Sequence, residues 1–108
     1  MYVTIDVASG GLSLVEADDF TAFHVVAVPR DAPEADVGVA LGSDGGPAGD
    51  DHVWVTVEAV QRLALPGLAD GDAVVVWRGG FEKMLDYAAA KGWMNDDRSC
   101  IRAHISRA

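Results

Sequence analysis

Residues 73–92 read AVVVWRGGFEKMLDYAAAKG, and this stretch fits two different structures, each of which would give a different fold. The β-branched run at 74–76 and the glycine pair at 79–80 favour a strand followed by a turn. Apolar residues instead recur with the spacing of three and four that is typical of a helix, at positions 74, 77, 81, 84, 85 and 88. Asp72 stands where a helix cap belongs and Gly92 where a helix ends. We predict one helix over residues 73–91, with a strand over residues 73–80 as the alternative.

The residues before this stretch predict three strands. Residues 2–8 alternate apolar and polar side chains with a period of two, which is typical of a strand with one buried face. Gly10 and Gly11 accept the positive φ of a tight turn, so a second strand over residues 12–17 should pair with the first. A third β-rich run covers residues 21–28.

A helix and a loop are expected next. Asp31 as the cap, with Pro33 and Glu34 in the first turn, predicts a short helix over residues 32–41. Residues 42–51 read GSDGGPAGDD, a composition typical of an exposed, mobile loop.

The remaining elements are a strand, a helix and a final strand. Residues 53–55 predict a strand, and Thr56 is placed to cap a helix that Pro66 stops. Residues 99–106 alternate again and predict the last strand. Residues 1–108 therefore form a single α+β domain, for which we predict a mostly antiparallel four- or five-stranded sheet with two or three helices on one face.

Charge excludes some partners. The chain has 17 acidic and 8 basic residues, and its net charge of −9 repels phosphate backbones and anionic lipid headgroups.

Purely apolar runs reach only about five residues, whereas a helix that crosses a bilayer needs ~20. We expect no nucleic-acid partner and no membrane association. The lack of a visible secretory signal and the single cysteine predict a cytoplasmic location.

The block FEKMLDYAAAKGW, with HVWVTVEAVQRLA upstream and IRAHI downstream, resembles small actinobacterial proteins of about this length. The resemblance covers the C-terminal half of the chain. Its most specific pattern runs from Phe81 through Met84, Tyr87 and Lys91 to Trp93. It implies one helix in this block, and it brings no activity and no catalytic residues with it.

The polar residues do not form a recognisable catalytic or metal motif. Cys100 and His104 lie four residues apart on the predicted last strand, about 13 Å by strand rise, which is too far for a thiol–imidazole pair. His24, His52 and His104 lack the short spacing of zinc ligands. We expect a buried, structural Cys100, no metal and no cofactor.

Trp93 and Met94 are the best candidates for an interaction surface, because they follow a predicted helix end where burial in the same small core is least assured. We therefore predict a non-catalytic binding or protein-interaction domain whose partner is another protein or a second copy in a homodimer. The alternative is a small enzyme or small-ligand-binding protein with a pocket between sheet and helices, near His24, Trp77 and Arg102.

Overall fold

Six short strands form one mixed sheet in the computed structural model, which describes residues 1–107. The period-two pattern of the sequence produces most of them, because each such strand buries alternate side chains. The strands are β1 Tyr2–Asp6, β2 Gly11–Val15, β3 His24–Val28, β4 Gly45–Gly49, β5 His52–Thr56 and β6 Cys100–Ser106.

The strand order is β2-β1-β3-β6-β5-β4. β1–β2, β4–β5 and β5–β6 are antiparallel, whereas β1–β3 and β3–β6 are parallel. The α+β class is confirmed, but the expected four or five strands are too few, and two of the five pairings are parallel. Residues 57–99 leave the sheet and return to it, and β6 then lies between β3 and β5. A local sequence pattern does not indicate which strands a later strand will pair with.

Three α-helices accompany the sheet: α1 Glu34–Leu41, α2 Val57–Ala64 and α3 Gly71–Ala90. The prediction of one helix through residues 73–91 is confirmed, and the alternative strand over residues 73–80 is wrong. The stripe at spacings of three and four decides this, because it buries Trp77, Phe81, Met84, Leu85 and Ala88. The cap of α3 is Asp70 rather than Asp72, since the Asp70 side chain accepts a hydrogen bond from the amide of Ala73 at 2.8 Å.

The other helix starts follow the sequence in part. Thr56 caps α2 as predicted, accepting from the amide of Ala59 at 3.1 Å. α1 begins at Glu34 with Pro33 at the cap position, so Asp31 does not cap it. The Glu34 carboxylate instead accepts from the amides of Gly49 and Asp51, each at 2.8 Å.

The segment over residues 42–51 is not a mobile loop, which corrects the prediction. It contains β4, an edge strand paired with β5 and packed against α1. A Cβ on Gly38 would lie 2.5 Å from Pro47, and a Cβ on Gly45 would collide with the carbonyl of Trp54. These glycines therefore permit close approach of β4 to its neighbours, and their function here is not flexibility.

The helices all pack on one face of the sheet. Their buried side chains belong to a single cluster with the inward residues of the strands, among them Val3, Val25, Val53 and Ile105. The opposite face, which we call the open face, carries the partly buried or exposed alternate residues. It includes Tyr2, His24, His52, Trp54, Cys100, Arg102 and His104.

Candidate functional site

An apolar groove runs along the exposed side of α3, between the helix and the segment at residues 18–23. We call it the α3 groove. Its N-terminal half is a hollow of about 360 Å³ lined by Asp18, Phe20, Leu68, Asp72, Ala73, Val76 and Trp77. Its C-terminal half is a hollow of about 450 Å³ lined by Phe20, Thr21, Gly80, Lys83, Met84 and Tyr87. Phe20 separates the two hollows and packs against Trp77 at 6.1 Å between ring centroids.

An exposed aromatic pair marks the C-terminal end of the groove. Tyr87 is 56% exposed and Trp93 is 47% exposed, and their rings meet edge to face with centroids 5.8 Å apart. The Lys91 ammonium lies 5.5 Å from the centroid of the Tyr87 ring. Large aromatic side chains at this exposure are common anchors of protein interfaces.

The backbone holds Trp93 in place. Its amide donates to the carbonyl of Ala88 at 2.8 Å, so the chain turns back immediately after α3. Its carbonyl accepts from the amide of Arg102 at 2.8 Å, which joins it to β6. An anchor already fixed in this way loses little conformational freedom on binding.

Trp93 and Met94, predicted together as interface residues, lie in different surroundings. Trp93 is exposed, as expected. Met94 is half-buried, forms a bridge with Ile101 and packs against the core. Of the two, only Trp93 belongs to the exposed surface.

A second candidate is a row of histidines across the open face. His24, His104 and His52 stand side by side on β3, β6 and β5, in matching register. Tyr2 stacks on His24 with ring centroids 5.0 Å apart, and His52 and His104 meet edge to face at 5.2 Å. These three are all the histidines of the chain. The row is not visible in the sequence, because only strand pairing brings the three residues together.

The environment of His24 favours the neutral form of its side chain. Partial burial lowers the pKa of His24, and the N-terminal amine and His104 lower it further. Glu16 acts in the opposite direction as the smallest of the four effects.

Arg102 neighbours the histidine row on β6, and its side chain is partly committed. Its guanidinium donates to the carbonyl of Gly49 at 2.9 Å and to that of Ala48 at 3.3 Å, which ties β6 to β4. A hollow of about 170 Å³ opens beside it, lined by Phe23, His52, Trp93, Arg102 and His104.

The structure separates the three residues predicted to line a pocket. His24 and Arg102 lie on the open face. Trp77 lies on the helix side of the sheet, 3% exposed, with its indole N–H donating to the carbonyl of Ala17 at 2.7 Å. The three cannot line one pocket.

Cys100 is not in the core, which corrects the expectation of a buried cysteine. It is partly exposed on the open face and lines a hollow of about 470 Å³ together with Trp54 and Thr56. His104 lies four residues further along β6, and His24 pairs with His104 rather than with Cys100. The fold therefore forms no close thiol–imidazole pair from these residues.

Two further findings concern residues 1–107 alone. Within that range, no group of three or more His, Cys, Asp or Glu residues has an arrangement that could hold a metal ion. No helix of the described chain is both long and apolar enough to span a membrane. The chain matches no protein-family model, and comparison with curated proteins and with solved structures finds no significant match.

Proposed function

We propose that this protein is a non-catalytic protein-interaction domain whose contact surface is the α3 groove. The observation that carries the proposal is the line of accessible apolar and aromatic side chains along α3, which Trp93 continues just beyond the end of the helix. Val76 is 75% exposed, Tyr87 56% and Trp93 47%. Exposed apolar side chains that form a continuous surface are typical of interaction sites, whereas isolated ones are ordinary.

Rigidity of the groove supports the same proposal. Trp77 fixes the segment at residues 17–20 through its hydrogen bond to Ala17 and its contact with Phe20. Trp77 also stacks on Phe81 at 4.7 Å within the core. Both walls of the groove are therefore anchored in the core, so a partner meets a formed surface.

The charges around the groove also suit a protein partner. Lys83 lines the groove, and Lys91 lies over the ring of Tyr87. They are the only two lysines in a chain of net charge −9. We also propose a cytoplasmic location, which the single cysteine and the lack of a visible secretory signal favour, and no nucleic-acid partner, which the net charge of −9 disfavours.

The test measures which protein the immobilised chain captures, with Tyr87→Asp as the groove variant. Val39→Asp is the matched control, because Val39 is 77% exposed and lies on α1, outside the groove. We expect the wild type and Val39→Asp to retain the same protein, whether a second copy or another chain, and Tyr87→Asp to lose it. Equal capture by Tyr87→Asp, or no capture by the wild type, would overturn the proposal.

One observation favours a second candidate, which is a small-ligand site on the open face. The hollow of about 170 Å³ places His52, His104 and Arg102 beside the aromatic rings of Phe23 and Trp93. Such a set suits a planar carboxylate, since imidazole and guanidinium donate hydrogen bonds and the rings supply stacking surface. Benzoate is a suitable probe. Saturable shifts of the Trp93 indole and His104 ring signals in NMR, reduced in His104→Gln, would support this candidate, and unchanged spectra would exclude benzoate-like ligands.

A further inference from the structure

We propose that the partner of the α3 groove is a second copy of this chain, which lays its own α3 antiparallel along the groove across a twofold axis. This inference rests on the proposed function. Three properties of the groove support it: the charges, the residue spacing and the shape. In each of them, one end of the groove is complementary to the opposite end of a second copy in antiparallel orientation.

The charges at the two ends of the groove have opposite signs. Asp18 and Asp72 line its N-terminal half. Lys91 stands one turn beyond Tyr87 at its C-terminal end, whereas Lys83 lies next to the midpoint of the helix and belongs to neither end. A second copy in antiparallel orientation places the acidic end of each groove beside the basic end of the other. A parallel arrangement places like charges together, which opposes association.

The helix positions in the groove have a symmetric spacing. Residues 72, 76, 80, 83 and 87 of α3, together with Lys91 at its C-cap, share an arc of about 100°, because each residue advances about 100° around a helix. When the helix is reversed about the midpoint between Phe81 and Glu82, position 72 of one copy lies opposite position 91 of the other. In the same way, position 76 lies opposite 87 and position 80 opposite 83. A twofold axis at this midpoint therefore pairs Asp72 with Lys91 of the partner, and it forms the same pair a second time.

The shapes of the two halves are also complementary. Tyr87 and Trp93 project at the C-terminal end of the groove. In the reversed copy they come next to Val76 and the hollow of about 360 Å³, whose lining includes Leu68 and Ala73. Each copy then inserts its aromatic pair into the apolar hollow of the other, which buries both exposed apolar regions.

The test is the dimer dissociation constant of the full chain, measured by sedimentation equilibrium at 0.15 M salt, where repulsion between two copies of charge −9 is screened beyond about 8 Å. We expect Asp72→Lys and Lys91→Asp each to weaken the dimer by roughly tenfold, because each reversal repels at two symmetric contacts. The double variant should restore most of the affinity. Glu82→Lys is the control, since Glu82 is exposed on α3 outside the groove arc.

A variant aimed at the aromatic anchor extends the test. Trp93→Ala should weaken the dimer by about thirtyfold, the usual effect of removing a central aromatic residue, with native circular dichroism. Circular dichroism of every variant separates lost association from lost folding.

The outcomes distinguish this inference from the proposed function. A chain that stays monomeric at millimolar concentration overturns the second copy as partner, while Tyr87-dependent capture of a different protein leaves the interaction domain in place. If Asp72→Lys and Lys91→Asp do not weaken the dimer, or if the double variant does not restore its affinity, only the antiparallel arrangement is overturned.

Discussion

Gly79 and Gly80 are adjacent in α3, and the structure predicts opposite effects for the same substitution at the two positions. The sequence alone predicts that alanine stabilises either position inside a helix, because glycine is costlier to order than alanine. A Cβ on Gly79 meets no atom within 4 Å. A Cβ on Gly80 would lie 2.7 Å from Cδ2 and 2.8 Å from Cζ of Phe20.

The magnitudes follow from these distances. Gly79→Ala should stabilise the fold by about 0.5–1 kcal/mol, the helix-propensity difference, which raises Tm by roughly 2–6 °C. Gly80→Ala gains the same amount but must displace the Phe20 ring, since carbon atoms approach only to about 3.5 Å. Overpacking of this kind costs about 1–3 kcal/mol, and the contact of Phe20 with Trp77 is lost as well. The clash outweighs the gain, so Gly80→Ala should be destabilising.

Urea unfolding at one fixed protein concentration measures both variants, so that association does not shift the comparison. The matched control is Gly80→Ala in a Phe20→Ala background, where no ring opposes the new methyl group. There the substitution should stabilise by the same amount as Gly79→Ala. A clash with Phe20 is contradicted if Gly80→Ala stabilises the wild-type chain as much as Gly79→Ala does, or if Gly80→Ala remains destabilising once Phe20 is alanine.

Three further predictions concern single interactions. The hydrogen bond from Arg107 lowers the pKa of Asp51, so this pair stabilises the fold fully above about pH 4 and loses its effect as pH falls through the lowered pKa. Asp51→Asn should therefore lower the urea midpoint at pH 6, and this difference should shrink as pH falls below about 4. The exposed Asp96→Asn should leave the midpoint at pH 6 unchanged. The pKa of His24 lies below its usual 6.5, so NMR titration should give a midpoint under that value. Because the fold favours the neutral form, the free energy of unfolding should decline as pH falls from 7 toward 5. His24→Gln should reduce that decline. Trp77→Phe should cost about 1–2 kcal/mol in urea unfolding, because the carbonyl of Ala17 loses its donor, and an unchanged midpoint would contradict the stabilising role of this hydrogen bond.

Local signals in the sequence are sufficient to predict several elements. The stripe of apolar residues predicted α3 through its glycine pair, because burial of one helical face outweighs the cost of two glycines. Thr56 predicted the start of α2, since a hydroxyl at the cap position satisfies a free backbone amide. The exposure of Trp93 at the helix end was also predicted, but the same argument failed for Met94, which packs against the core.

Features that depend on partners distant in sequence are visible only in the folded chain. The glycine-rich segment became the edge strand β4 because Gly38 and Gly45 allow α1, β4 and β5 to approach closely, and composition alone does not distinguish this role from flexibility. The histidine row exists because β6, the last strand, inserts between β3 and β5. The α3 groove needs Phe20, some sixty residues before the helix face that it packs against. Periodicity records which side of an element is buried, but it carries no information about which other element buries it.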